Sequence, residues 1–219
     1  MKGFDLFSGM GGFHHAAHDL LGKEYETVAY CEIDPKARIA YEATLNHSAP
    51  KAFSDVNDIT GDLNPSLPHF ANKAQINSVL PNFDILFAGF PCQPFSSMGL
   101  RNGMDDPRGI LFNHIEAILA VKKPRYFILE NVRGIKTING GDVMRHIIST
   151  LQSIGYQTTT WMLNSADYGV PQTRRRIFFV GDLKGHNKNL DENMPPKKIL
   201  ASARRHKNVL DILEKDVDE

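Results

Sequence analysis

Apolar residues along the chain form short unbroken runs that alternate with stretches of helical spacing. Phe4 to Ser8 (FDLFS) is one such run; it stops at a glycine and predicts a buried strand. Phe13, Ala16, Ala17, Leu20 and Leu21 then recur at the spacing of one helix face. Thr27 to Cys31 (TVAYC) predicts a second strand. Ala37, Ala40, Tyr41, Thr44 and Leu45 repeat the helical spacing. Asp34-Pro35 ahead of them supplies a capping carboxylate and a first-turn proline. Residues 47–80 carry no clear pattern. Asp84 to Ala88 (DILFA) predicts a third buried strand, followed by a loop rich in Gly, Pro and Ser over 89–108. Leu111, Ile115, Ile118 and Leu119 predict a helix, Tyr126 to Leu129 a strand, and Val143, Ile147, Leu151 and Ile154 another helix. Gln157 to Leu163 and Ile177 to Val180 predict two more strands.

This alternation predicts an α/β fold: a mostly parallel sheet with helices on both faces and right-handed crossovers. No helix separates the last two strands, so an antiparallel strand is expected near the end. After Gly181 the texture changes. Residues 184–207 hold seven Lys or Arg, two Pro and two acids, with few large apolar side chains. The reading is therefore one folded domain over 1–183 and a basic linker or arm over 184–219, ending in the short amphipathic piece VLDILEKDVDE.

Composition narrows the classes. The chain has 219 residues, 42% hydrophobic and 23% charged, which excludes disorder, collagen and coiled coil. No run reaches the roughly 20 apolar residues of a membrane span. The start, MKGFDLFSGMGG, lacks the apolar core of a secretory signal. Lys plus Arg and Asp plus Glu both number 25, so there is no basic excess, although a neutral total can hold a basic face. The two cysteines, Cys31 and Cys92, and nine histidines make no zinc-finger spacing, and no metal site is expected. Two thiols without an export signal fit a reducing cytoplasm.

Four segments carry chemistry. Phe7-Ser8-Gly9-Met10-Gly11-Gly12 joins the first strand to the first helix, where glycines allow a tight turn and close backbone approach to a ligand. A dinucleotide fingerprint wants a third glycine where His14 stands, which weakens nicotinamide binding. A turn needed only for packing is the plainer alternative. Glu32 ends the second strand, the place from which an acid accepts hydrogen bonds from ribose hydroxyls. Asp58-Ile59 offers a carboxylate to an adenine amino group. Gly89 to Ser96 (GFPCQPFS) follows a buried strand, and its prolines restrict the backbone around Cys92, a candidate nucleophile. Cys31, inside an apolar strand, reads as core. Glu130-Asn131-Val132 again follows a buried strand, bringing a carboxyl to the same sheet edge; a helix cap or a surface charge is the plainer alternative. In Gln172 to Ile177, strand alternation sends Arg174 and Arg176 to one side and Arg175 to the other. Two guanidiniums on one face suit a phosphate or a polarised carbonyl, and a solvated charge run is the alternative. His14 and His15 read as solvent-exposed helix histidines.

In this order FDLFSGMGGF, GFPCQPFS, RGILF, ENV and QTRRRIFFVG resemble the signature blocks of the cytosine-5 DNA methyltransferases, over residues 4 to about 181. The resemblance implies a Rossmann-like methyltransferase domain, S-adenosylmethionine as methyl donor, and a cytosine flipped out of double-stranded DNA as acceptor. It implies that Cys92 is the nucleophile, that Glu130 engages the cytosine edge, and that Arg174 and Arg176 surround the flipped base and its phosphate. Phe7, Gly9, Met10, Gly11, Gly12, Glu32, Ile33, Asp58, Ile59, Pro91 and Leu111 match cofactor-contacting positions; Phe90, Gln93 and Ser96 match positions beside the base. In the family a target-recognition region and two further blocks follow QTRRRI. The expectation is a split subunit or a fragment whose partner is a second polypeptide or a C-terminal region carrying target recognition. A cytoplasmic, prokaryotic or phage-encoded protein of a restriction-modification system is implied. The alternatives are an RNA cytosine-5 methyltransferase of the same family and a non-catalytic scaffold subunit.

Overall fold

Seven strands form one sheet: β1 (Lys2–Leu6), β2 (Glu26–Cys31), β3 (Lys51–Phe53), β4 (Ile85–Gly89), β5 (Tyr126–Val132), β6 (Tyr156–Asn164) and β7 (Arg175–Leu183). They lie in the order β3-β2-β1-β4-β5-β7-β6. The first five are parallel neighbours, and β7 runs antiparallel between β5 and β6. The computed structural model describes residues 1–45, 50–61, 63, 72–91 and 110–183. Cys92, Gln93, Ser96 and the arm 184–219 lie outside the described residues.

Six helices complete the α/β fold among the described residues: α1 (Gly12–Leu21), α2 (Pro35–Glu42), α3 (Asn57–Thr60), α4 (Lys73–Val79), α5 (Ile110–Lys122) and α6 (Asp142–Ser153). Asp34 caps α2 as the sequence predicts, its carboxylate accepting from Lys36 N at 2.8 Å. The strands sort their side chains by alternation. On β4, Leu86 and Ala88 join the large core, while Ile85 and Phe87 turn to the opposite face against Ala17 and Phe13 of α1. Tyr41 of α2 stacks on Tyr30 with ring centroids 4.5 Å apart. The large core packs Ile59, Ile76, Ile115, Ile118, Ile147 and Leu151 from the other four helices. The sheet is therefore covered on both faces.

The winding reverses between β1 and β4. Chain segments run outward from β1 to β3 in one direction, and from β4 onward in the other. Such a switch point opens a crevice at the carboxyl ends of its strands.

Four details differ from the sequence pattern. The first strand stops at Leu6, because Phe7 adopts a left-handed conformation with φ +56°. The fifth strand continues through Glu130 to Val132, because β7 pairs with it as far as Arg176. On α1, Ala16 and Leu20 face solvent and His14 is buried instead. Its Nδ1 meets Thr27 Oγ1 at 2.8 Å, so the expectation of an exposed histidine is corrected. Finally, the unpatterned stretch holds β3, α3 and α4, of three, four and seven residues, too short to show a period.

Candidate active site

The glycine turn after β1 is built from left-handed residues. Phe7, Gly9 and Gly11 have φ of +56°, +54° and +88°. For Phe7 that costs on the order of 1–2 kcal/mol. Gly11 has a second constraint: a Cβ there would lie 2.9 Å from the Tyr41 ring. Ser8 N donates to Cys31 O at 3.0 Å, tying the turn to the end of β2. Glu32, the next residue, accepts from Gly9 N at 2.7 Å through Oε2 and from Asp34 N at 2.9 Å through Oε1. One carboxylate thus fixes both the turn and the entry to α2, and each oxygen keeps a lone pair for a ligand.

Beside it lies a cavity of about 550 Å³ at the switch point, lined by Phe7, Glu32, Ile33, Asp55, Val56, Asn57, Leu63, Gly89, Pro91, Leu111 and His114, with Cys31 beneath. That size and its mostly apolar walls with a few acceptors are those of a small-molecule site. Burial pushes the Cys31 thiol up to about 12, reinforced by the carboxylates of Asp55, Glu32 and Asp58. His114 is buried, with Nδ1 2.6 Å from Thr60 Oγ1.

A second cavity, of about 430 Å³, is lined by Glu130, Leu163, Ser165, Tyr168, Arg174, Arg176 and Phe178. Glu130 sits in β5 opposite Gly89 on one side and Phe178 on the other. Arg176 pairs with Val132 across the ladder, two residues on and on the same face, so it reaches Glu130 diagonally. Its Nε is 2.7 Å from Glu130 Oε1, and both side chains are about one-fifth exposed. Gly89 joins the two cavities: it lines the first, and a Cβ on it would lie 3.5 Å from Glu130 Oε2. The neighbouring Asn131 points to the other face and is buried. Its Nδ2 donates to Phe90 O at 3.0 Å, and its Oδ1 accepts from Val132 N at 2.8 Å. That bond clamps the chain where it leaves β4 toward Cys92.

The structure therefore brings Phe7, Glu32, Ile33, Pro91 and Leu111 to one cavity wall and Glu130, Arg174 and Arg176 to the other. Gly9 and Gly11 shape the turn without lining the cavity, Met10 and Gly12 are exposed, and Phe90 is buried next to Phe112. Asp58 and Ile59 are not in the wall. The Asp58 carboxylate accepts from Asp55 N at 3.2 Å, and Ile59 is fully buried in the core. Asp55, Val56 and Asn57 take their place. The signal for them is the end of β3 at Phe53, since residues just past a parallel strand face the crevice. His114 carries no sequence signal of its own: it stands on the helix face that Leu111, Ile115 and Ile118 define.

The family described as C-5 cytosine-specific DNA methylase matches residues 1–219. A Neisseria lactamica protein named type II methyltransferase M.NlaX is 39% identical over 222 residues, 100% of this chain and 61% of that protein. The Haemophilus aegyptius type II methyltransferase M.HaeII is 40% identical over 185 residues, 83% of this chain and 50% of that protein. The chain thus spans 61% and 50% of the length of these two relatives. A solved variant of Spodoptera frugiperda DNMT2 shares the fold, with TM-score 0.66 at 24% identity over 99% of this chain and 60% of that one.

Proposed function

The chain belongs to the C-5 cytosine-specific DNA methylase family, and from that premise we propose that it carries the catalytic domain of a DNA (cytosine-5-)-methyltransferase of a restriction-modification system. The observation that carries this reading is the meeting of two cavities at Gly89. One is walled by Glu32 and Asp55, the other by the Glu130–Arg176 pair.

The first cavity fits S-adenosylmethionine. Glu32 retains acceptor capacity for ribose hydroxyls, Asp55 offers a carboxylate to an adenine amino group, and Phe7, Ile33, Val56 and Leu111 give apolar walls for the ring. When bound, S-adenosylmethionine supplies a sulfonium methyl group to a carbon nucleophile. The chain's own residues make that nucleophile. A cytosine must leave the duplex stack to enter the Glu130 cavity, which costs a few kcal/mol. Cys92 adds its sulfur to ring carbon C6, breaking the C5=C6 π bond. The released electron pair spreads over C5 and the N3 side of the ring. A proton shared between the Glu130 carboxyl and N3 neutralises that charge as it develops. Arg176 fixes the Glu130 carboxyl, and Arg174 lies beside it for the phosphate. Asn131 is a positioning residue, holding the Phe90 carbonyl two residues before the nucleophile. C5 takes the methyl group with that electron pair; loss of the C5 proton to a base and cleavage of the C6–S bond, which returns the Cys92 thiolate, then restore the ring.

Duplex DNA, a cytoplasmic location and a second polypeptide or region for target recognition belong to the same proposal. Among the described residues no helix is long and apolar enough to cross a membrane, and no group of metal ligands is present. The test is transfer of a labelled methyl group from S-adenosylmethionine to duplex DNA and to tRNA, with and without the neighbouring gene product. Incorporation into DNA that vanishes in Cys92→Ser, with cofactor binding retained, is expected. Incorporation by Cys92→Ser at the wild-type rate, or into tRNA alone, overturns the reading.

A further inference from the structure

Arg175 takes no part in the chemistry above. Alternation along β7 turns it to the face opposite Arg174 and Arg176. There it lines a separate cleft of about 900 Å³ with Arg133 and Lys136, which stand on the 3-10 turn Arg133–Lys136 directly after β5. Thr137 and Asn164 add polar groups to the wall, and Asp167 is its one carboxylate. Arg133, Lys136 and Arg175 are exposed, and among the described residues none of them pairs with a carboxylate. Asp167 already has an interaction of its own.

The cleft borders the Glu130 cavity, and Leu163 lines both. Both open at the carboxyl edge of the sheet, one on each face of β7. Three cations gathered within one concave wall beside the Glu130 cavity repel one another, and an anion spanning them relieves that repulsion. Guanidinium groups suit phosphate by their planar fork, and an ammonium suits it as a point charge. A polynucleotide with one base in the Glu130 cavity carries its neighbouring phosphates past the rim at Leu163.

We propose that Arg133, Lys136 and Arg175 form a phosphate-binding cleft for the backbone of duplex DNA flanking the extruded nucleotide. The proposal rests on the methyltransferase reading, and its test is chosen to fail separately from it.

Each phosphate neutralised by a cation releases counterions, and the slope of log affinity against log salt changes by about 0.9 per contact. Binding of a fluorescent duplex of about 20 base pairs to the 219-residue chain is measured by anisotropy between roughly 50 and 200 mM salt. Each of Arg133→Ala, Lys136→Ala and Arg175→Ala should flatten the slope by about 0.9, and the triple variant by about 2.7. Arg175→Lys should restore the slope. All three side chains are exposed, so melting curves should match the wild type. The control replaces Lys2, Lys23 and Arg125 at the opposite, amino edge, and should leave the slope unchanged.

An unchanged slope in the triple variant overturns the cleft while leaving methyl transfer, read separately through Cys92, untouched. An equal fall in the control overturns it as a net-charge effect. Loss of RNA binding with duplex binding retained overturns it as well, as does a wild-type chain that binds no duplex at low salt.

Discussion

Replacing Glu32 by alanine tests the hinge of the proposed cofactor cavity. Its carboxylate accepts from Gly9 N and Asp34 N at 2.7 and 2.9 Å, and it faces the cavity. Two things are lost in the variant: the acceptor proposed for ribose hydroxyls and the tether on the left-handed Gly9 turn. The backbone donors lie at a half-exposed rim, where water replaces part of their bonding. The remaining loss is one or two hydrogen bonds to a charged acceptor, about 1–3 kcal/mol. That corresponds to a roughly 5- to 150-fold weaker affinity for S-adenosylmethionine. Glu32→Gln keeps one carbonyl acceptor and should fall between alanine and wild type. Calorimetry with S-adenosylmethionine and a 2′-deoxy analogue separates the two losses. If the carboxylate meets the ribose, the analogue's penalty in the wild type disappears in the alanine variant. Unchanged affinity in Glu32→Ala, or a penalty that persists in it, would refute the assignment.

Asp55→Ala should weaken cofactor binding by about tenfold, the loss of one hydrogen bond to a charged group, whereas Asp58→Ala should change it less; calorimetry giving the reverse order would return the adenine contact to Asp58. Cys31 should stay unlabelled by iodoacetamide at pH 8 in the native protein, since it is buried and its thiol titrates at about 12. Peptide mass spectrometry finding Cys31 modified before unfolding would contradict that. Burial, with His15 and His18 nearby, holds His14 below the usual histidine range. The folded state then binds fewer protons than the unfolded one at mildly acid pH, so the contribution of neutral His14 is present above about 6.5 and lost as pH falls toward its folded value. His14→Asn, which retains a group for Thr27, should lose less thermal stability than wild type between pH 7.5 and 5.5; equal losses would exclude His14 as the cause.

How far the sequence reached depended on segment length and on partners. Long apolar runs such as DILFA and the Leu111–Leu119 face gave their elements directly, because burial on both sides leaves an unbroken signature. The carboxyl-edge rule then placed Glu32 and Glu130 from the ends of β2 and the YFIL run. The same rule missed Asp55 only because β3, with three residues, left no pattern from which to locate its end. Glu130 was read as lying past its strand, since nothing local reveals that β7 will pair with Asn131 and Val132 from more than 40 residues away. His14 shows a related limit: a polar side chain on an apolar face is buried when a distant hydroxyl, here Thr27, satisfies it.

The position of β7 has a consequence for the order of assembly during synthesis. β6 leaves the ribosome before β7, yet β7 occupies the place next to β5. Until residue 183 has emerged, β5 is an edge strand, and the pairing groups from Tyr126 to Val132 have no neighbour on that side. β6 runs parallel to β5 and cannot reproduce the antiparallel ladder that β7 makes with both. Among the described residues, the last strand to be made is therefore the one inserted between two strands already present. Arg176 arrives with it, so the nascent chain gains the ion pair on Glu130 in the same step that removes its open edge. A ribosome that stalls before residue 175 holds a chain that lacks the Arg176–Glu130 pair and is exposed to strand-to-strand aggregation.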